Sequence, residues 1–427
     1  MNLISGQVLS EDESRAQLKK LPELILQTHQ GEKLSQERVI AACDALARAL
    51  DPEQNAGLLT GLGMPEDKAR RELATAKQMM SRAYLENRLA IELPPSLDTQ
   101  FTPYGLERPV RHAWRPLGTL LHIAAGNVDA LPVFSVVEGL LTGNINILKL
   151  PGKDDGLSIP ILQQLIHHYP LIADYVIVFD TPSTDLAAME EMAACADAII
   201  VWGGDEAVRA VRKLAQPDTQ IIEWGHKISF AYVSGAAVRD ADLEGIAYNI
   251  CDTNQTLCNS CQGIYLDTDN YEDVVAFAER FAKILNRTAA DIPLGEDPFL
   301  AAQKTLEIYT EELEAIEADK RVFREEHCSV IAYPDAALHP AYMFRNCWVK
   351  PLPKSKLLSE LLQYKNHLQT VALICEPEEK AALEDLLTQT GIVRFTTGER
   401  MSTSYCGMPH DGRFPLRRYM KIVSYDD

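Results

Sequence analysis

GTLLHIAAGNVDALPVFSVVEGLLTGNINILKLPG, residues 118–152, reads as one strand–helix–strand unit. Gly118 to Ala125 is a short apolar run that predicts a strand. Ala130 to Thr142 predicts a helix, and Asn144 to Leu150 a second strand. Two short buried strands joined by a helix imply parallel pairing, because a crossover of that length is what parallel neighbours need. The pattern continues downstream. Helices are expected over Gly156 to His168, Asp185 to Cys195 and Asp205 to Leu214, and strands over Tyr175 to Phe179, Asp197 to Val201 and Thr219 to Ile222. The alternation predicts an α/β fold with a doubly wound parallel sheet, covered on both faces, whose ligands bind beyond the carboxyl ends of the strands.

Residues 1–95 read as a helical region. Ala16 to His29, Gln36 to Leu50 and Pro65 to Ile91 carry apolar residues at helical spacing, and Pro94-Pro95 closes the stretch. Residues 96–227 form the expected first α/β domain. Residues 228–400 form a second α/β domain, with helices over Glu272 to Arg287 and over a charged stretch from Ala301 to His327. Its later strands are Ser329 to Ala332 and Thr370 to Cys375. Residues 401–427 are expected to return to the first domain.

The 427 residues are 46% hydrophobic and 24% charged, the balance of a globular protein with a sizeable core. With 61 acidic and 41 basic residues the formal charge is −20, which disfavours nucleic acid or an anionic membrane surface as partner. No basic leader followed by an apolar run opens the chain, and no apolar stretch is long enough for a membrane span. Nine dispersed cysteines suit a reducing cytoplasm better than a disulfide framework.

Several short stretches could carry chemistry. Asn254-Gln-Thr-Leu-Cys258-Asn-Ser-Cys261-Gln262 is a polar loop between a helical stretch, Asp240 to Asp252, and an apolar strand, Gly263 to Leu266. A loop held between regular elements suits the presentation of a thiolate. A redox pair would sit at a helix N-terminus in a thioredoxin-like unit, which the surroundings do not resemble. A structural zinc needs a second ligand cluster, whereas Cys251, Cys328 and Cys347 stand singly, so no metal is expected. One nucleophile beside a bystander fits best, although a loop cysteine taken alone is more often inert. Upstream, Asn127 lies in a strand-to-helix turn, where it either tolerates a left-handed conformation or offers its amide. Gly203 and Gly204 sit at another such junction. They allow close backbone approach and a helix N-terminus that favours an anion, while Asp205 could equally be a plain cap.

An amide-bearing turn, then the carboxylate of Glu223, then a cysteine loop is the order seen in the aldehyde dehydrogenase superfamily. The residues most closely resemble its LuxC-type acyl-CoA reductases. The likeness runs from about residue 100 to the end and is strongest over 118–265 and the last 20 residues. It includes Tyr364 to Thr370 and His410 to Leu416. The resemblance implies an aldehyde-dehydrogenase-like fold, with residues 96–227 as the nucleotide-binding domain and 228–400 as the catalytic α/β domain. Cys258 then matches the nucleophile, and Asn127 the side chain that, with the nucleophile's N–H, holds the oxyanion. Cys261 stands where the family often has proline, which leaves open a redox exchange with Cys258. Lys149 matches a lysine reaching the adenosine ribose. Gly152 replaces a glutamate that grips the ribose hydroxyls in NAD-preferring relatives, and Lys153 follows it. Loss of a carboxylate beside added positive charge suits a 2′-phosphate, though Lys153 could equally be a surface lysine. Gly203 and Gly204 match the residues packed beneath the dinucleotide. Glu223 matches the water-activating carboxylate of aldehyde-oxidising members; in a reductase it either manages the Cys258 proton or points elsewhere.

The implied activity is NADPH-dependent reduction of a long-chain acyl-CoA to the aldehyde through an acyl-cysteine, with NADH the alternative reductant. The implied partners are acyl-CoA or an acyl carrier, a second copy of the chain in a homo-oligomer, and an acyl-donating enzyme. Rival readings are an aldehyde dehydrogenase working in the oxidising direction, a cysteine acyltransferase or thioesterase without redox chemistry, and a non-catalytic scaffold.

Overall fold

A computed structural model describes residues 1–61, 64–124, 131–152, 156–235, 238–294, 298–316 and 319–426. The chain separates into two compact units, Met1–Leu62 with Glu66–Gly225 and Tyr405–Asp427, and Gly63–Pro65 with His226–Ser404.

In the first unit, strands β1 (Asn2–Ile4) and β2 (Gln7–Leu9) open the chain, and β3 (Asp98–Phe101) and β4 (Val110–Pro116) follow the N-terminal helices. The strands β5 (Thr119–Ile123), β6 (Ile145–Lys149), β7 (Val176–Phe179), β8 (Ala198–Trp202) and β9 (Gln220–Trp224) carry the expected alternation. Seven strands form a sheet in the order β2-β1-β7-β6-β5-β8-β9, parallel from β7 to β9. The chain leaves β5 toward β6 and β7 and returns to its other side with β8, so the topological switch lies between β5 and β8. Burial explains the continuous apolar runs: every residue of β6 and β7 is buried. The helix Leu131–Leu141 is buried along most of its length, with Val133, Val136, Val137, Leu140 and Leu141 in the core on one face of the sheet. Ile4, Leu121, Ile147, Phe179 and Met192 belong to the core on the other.

Three expectations for the N-terminal region change, the first being the helix expected over Ala16 to His29, which is two, Glu11–Leu18 and Leu21–Gln30. Asn2–Ile4 is not helical but joins the sheet antiparallel to β7, with Leu3 opposite Val178 and fully buried. The Asn2 side-chain oxygen accepts from the Asp180 N–H at 2.8 Å. The expected helix over 65–91 is two, Glu66–Met80 and Arg82–Glu92, because the Ser81 hydroxyl caps the second by accepting from the Tyr84 N–H at 3.4 Å. Arg88 of the second helix bridges the buried Glu92 and Glu138, which ties the N-terminal helices to the helix Leu131–Leu141; Glu92 also accepts from the Leu416 N–H at 3.0 Å, and Glu138 from the Tyr419 hydroxyl at 3.1 Å.

The second unit is built on β10 (Ile228–Val233), β11 (Cys261–Leu266), β12 (Arg321–Arg324), β13 (Ser329–Ala332), β14 (Asn346–Pro351), β15 (Leu368–Ile374) and β16 (Arg394–Thr396). The order is β12-β13-β14-β11-β10-β15-β16, with only β12 antiparallel. The charged stretch expected as one helix to His327 ends as helix at Glu314, and Arg321–Arg324 is an edge strand. Its alternating Val322 and Phe323 pair with β13, and its terminal arginines stand on the exposed edge. The C-terminal strand β17 (Met420–Tyr425) lies in the first unit and pairs antiparallel with β4, completing a three-stranded sheet with β3. Among the described residues no helix is long and apolar enough to cross a membrane.

Candidate active site

In the first unit the candidate cofactor residues gather at the carboxyl ends of the parallel strands. Lys149 ends β6; its side chain is almost fully buried, and its ammonium donates to the Ser183 hydroxyl at 3.4 Å. Burial lowers its pKa, and the nearby Asp180 opposes that shift. Gly152 follows, and a Cβ there would meet nothing within 4 Å. Gly203 and Gly204 follow β8. A Cβ on Gly203 would come within 3.1 Å of Ala207 Cβ, and Gly204 caps the helix Asp205–Leu214 without a side-chain bond. That helix carries its own carboxylates, Asp205 and Glu206, in the first turn, so the glycines offer close backbone approach more than anion capture. Asn127 and Lys153 lie outside the described residues.

Glu223 lies on β9 opposite Val201. Its Oε1 is 2.5 Å from the Arg212 guanidinium, an ion pair without aligned hydrogen-bond geometry, and its carbonyl accepts from Arg418 at 3.5 Å. The Arg418 guanidinium also lies 4.8 Å from the Trp224 ring centre. His410, from the C-terminal segment, packs edge-on against Trp202 and Trp224 at centroid distances of 5.1 and 4.8 Å. These aromatic neighbours are not foreseeable as a group from the sequence; the only sign there is the family likeness of residues 410–416.

The cysteine loop belongs to the second unit. It starts where the helix Asp240–Thr253 ends in two consecutive left-handed residues, Asn254 (φ 47°) and Gln255 (φ 61°). Such backbone costs about 1–3 kcal/mol per residue away from glycine and persists only when its surroundings hold it. Here the Asn254 amide donates to the Leu294 carbonyl at 2.6 Å, and its own carbonyl accepts from the Phe344 N–H at 3.0 Å. Phe344 sits in a second left-handed run, Met343 to Arg345, anchored by the buried Arg345 guanidinium on the carbonyls of Ala289 (2.9 Å) and Ile292 (2.7 Å). The loop then closes through two glutamines. Gln255 Nε2 donates to the Cys261 carbonyl and Gln262 Nε2 to the Gln255 carbonyl, both at 3.0 Å.

The two thiols differ. Cys261 is the first residue of β11 and has no exposure; its N–H donates to Asn249 Oδ1 at 2.9 Å and its thiol to the Gly263 carbonyl at 3.3 Å. Burial pushes it up to about 12. Cys251 and Cys328 in the same core are raised to about 11 and about 12 for the same reason. Cys258 remains in the loop, half-buried. Its carbonyl accepts from the Ser229 hydroxyl at 2.8 Å, and Gln369 Nε2 donates to its Sγ at 3.5 Å. All nine cysteines are free, and among the described residues no three His, Cys, Asp or Glu side chains are grouped to hold a metal. Sequence reasoning misses Ser229 and Gln369, since nothing local in either marks it as a neighbour of a loop more than 25 residues away in sequence.

The model of the acyl-CoA reductase (LuxC) family matches residues 32–422. Long-chain acyl-protein thioester reductase 2 of Photobacterium leiognathi is 27% identical over 321 residues, 73% of this chain and 64% of that protein. The long-chain acyl-protein thioester reductase of Aliivibrio fischeri is 26% identical over 317 residues, again 73% and 64%. This chain therefore spans about 64% of the length of these relatives. Among solved structures, an NADP-dependent enzyme of E. coli superposes with a TM-score of 0.73 at 15% identity, covering 100% of this chain and 97% of that one. Succinate-semialdehyde dehydrogenase of Burkholderia pseudomallei gives 0.73 at 13%, covering 100% and 94%. Glyceraldehyde-3-phosphate dehydrogenase of Methanocaldococcus jannaschii, solved with NADP, gives 0.72 at 12%, covering 100% and 97%. At such identities the likeness speaks for the fold alone, which is that of the aldehyde dehydrogenases. On the match over residues 32–422, the chain belongs to the LuxC family of acyl-CoA reductases.

Proposed function

We propose that the protein reduces a long-chain acyl thioester to the aldehyde, with Cys258 as nucleophile. The observation that carries this reading is the contrast within one loop: Cys258 is accessible with a donor at its sulfur, while Cys261 is sealed in a strand. The Cys258 thiolate attacks the thioester carbonyl, the carbon–sulfur bond of the donor breaks, and the donor leaves as a thiol, giving an acyl-cysteine. The Asn127 amide and the Cys258 N–H are assigned to the negative charge that builds on the carbonyl oxygen. Collapse of the reduced adduct releases aldehyde and regenerates the Cys258 thiolate.

A nicotinamide fits the first unit. Open space at Gly152, the buried ammonium of Lys149 and the bare backbone at Gly203-Gly204 suit a dinucleotide at the carboxyl ends of β6 and β8. When bound, it supplies the hydride that reduces the acyl-cysteine carbonyl. We assign NADPH over NADH because no carboxylate stands at 152 to repel a 2′-phosphate, and because Lys149, with Lys153, adds positive charge. Glu223, engaged by Arg212, suits a reductase in which water is not activated against the acyl-enzyme. The names of the relatives favour a protein-bound acyl thioester as an alternative donor to acyl-CoA, delivered by a partner enzyme.

The test is a panel of acyl-CoA chain lengths supplied with NADPH and with NADH, following the nicotinamide absorbance. Consumption of NADPH with aldehyde formed in equal amount is expected. Thioester cleavage without nicotinamide oxidation would place the protein among acyltransferases or thioesterases. Turnover only from aldehyde and oxidised cofactor would place it among the oxidising enzymes.

A further inference from the structure

Strand β10 is flanked by irregular pairing on both sides, at positions one residue apart. Against β15 the register runs Ile228 opposite Leu368, then Phe230 opposite Val371, so that Gln369 and Thr370 together face Ser229. Against β11 it runs Ser229 opposite Cys261, then Ala231 opposite Ile264. Each is a bulge of one extra residue, a feature uncommon between parallel strands and one that re-aims a side chain. Ser229 holds the place: its hydroxyl accepts from the Thr370 N–H at 3.1 Å and donates to the Cys258 carbonyl at 2.8 Å. The consequence is local. Gln369, buried and near the start of β15, is aimed at the loop, and its Nε2 donates to Cys258 Sγ at 3.5 Å.

We propose that Gln369 is a catalytic residue, the neutral hydrogen-bond donor that stabilises the Cys258 thiolate. The inference rests on the reading of Cys258 as the nucleophile and adds what sets its protonation. A donor aimed at the charged form of an acid favours that form and lowers its pKa. The thiolate is the attacking species, so the bond raises the reactive fraction near neutral pH, at some loss of intrinsic nucleophilicity. Once the sulfur is acylated it no longer carries the charge, and the bond weakens. It strengthens again when the aldehyde departs and the sulfur leaves as thiolate. The same amide therefore assists both the opening and the closing chemical step without exchanging a proton. An amide suits this task better than an ammonium, because it supports the anion without pairing so tightly that attack is suppressed.

The experiment follows alkylation of Cys258 by iodoacetamide across pH, read by peptide mass spectrometry on the full chain. It needs no substrate and no cofactor, so failure of the reductase assignment and failure of this inference are separate outcomes. Gln369→Met keeps the size and removes the donor. It should raise the midpoint of the alkylation profile by about one pH unit, the scale of a single charge-assisted hydrogen bond. Near neutral pH the rate should fall about threefold, and the high-pH plateau should rise by a similar factor, because the freed thiolate is intrinsically more nucleophilic. A purely structural role would alter the plateau and leave the midpoint in place. Gln369→Glu keeps the shape and puts a negative charge at the sulfur, so it should raise the midpoint further. An unchanged midpoint in a correctly folded variant of either kind would overturn the proposal. If the methionine variant does not fold, the glutamate variant decides alone.

Discussion

The two large sheets carry their candidate residues at opposite strand ends, carboxyl in one and amino in the other. In the first unit Lys149, Gly152, Gly203, Gly204 and Glu223 all lie at or just past the carboxyl ends of β6, β8 and β9, where parallel sheets ordinarily bind ligands. In the second unit Cys258 precedes β11, and its neighbours Ser229 and Gln369 are each the second residue of their strands, so the cluster stands at the amino ends of β10, β11 and β15. The difference shows what each end is good for. A carboxyl end followed by a glycine turn leaves bare backbone that a dinucleotide can approach. An amino end preceded by a long helix can hold a strained loop from several sides, which suits the nucleophile proposed above. The first task asks for space at Gly152; the second asks for the left-handed pair Asn254-Gln255 and the anchors around it.

Three experiments bear on this division of labour. The largest effect is expected at the amino end. Incubation with acyl-CoA and no reductant should add one acyl mass at Cys258. Cys258→Ala should abolish the label and the aldehyde, whereas Cys261→Ala should retain the label at Cys258. Burial of Cys261 makes it a poor thiolate at any ordinary pH, so label found on Cys261 alone would reverse the assignment.

A smaller effect is expected at the carboxyl end. Gly152→Glu introduces a carboxylate where nothing lies within 4 Å of the new Cβ, so the fold should tolerate it. The ratio of kcat/KM with NADPH to that with NADH should fall on the order of tenfold, by repulsion of the 2′-phosphate. An unchanged ratio, or a wild-type preference for NADH, would move the cofactor choice to another residue.

The smallest effect is expected at Glu223. Its carboxylate is partly exposed and paired with an arginine that is more exposed still, and such pairs are worth about 1 kcal/mol or less. Glu223→Gln should therefore change kcat by less than about fivefold and leave the melting temperature close to that of the parent. A loss of two orders of magnitude with the fold intact would make Glu223 a working base and erase the distinction drawn between the two ends.

Much of the first sheet is legible in the amino-acid pattern alone. Strands β5 to β9 fall within a residue or two of expectation because doubly covered parallel strands read as unbroken apolar runs. The cysteine loop is legible too, through its family likeness. Other features resist. Asn2–Ile4 is too short to signal a strand and takes its form from Val178, more than 170 residues away. Arg321–Arg324 reads as part of a charged helix until β13 offers it an edge.

Periodicity and motif are local properties of a chain, so the alternating α/β pattern, the family and the short list of chemically able residues can all be read along it. The choice between the thiols of Cys258 and Cys261 is not local. Strand β11 begins at Cys261, so packing from neighbouring strands and helices buries that thiol and leaves Cys258 outside. The same holds for Gln369, which reaches Cys258 from 111 residues along the chain. Its placement follows from the strand order and from a one-residue bulge opposite Ser229. Parallel strands pair across long crossovers, so their registers, and the side chains those registers aim, depend on contacts that no local stretch of sequence contains.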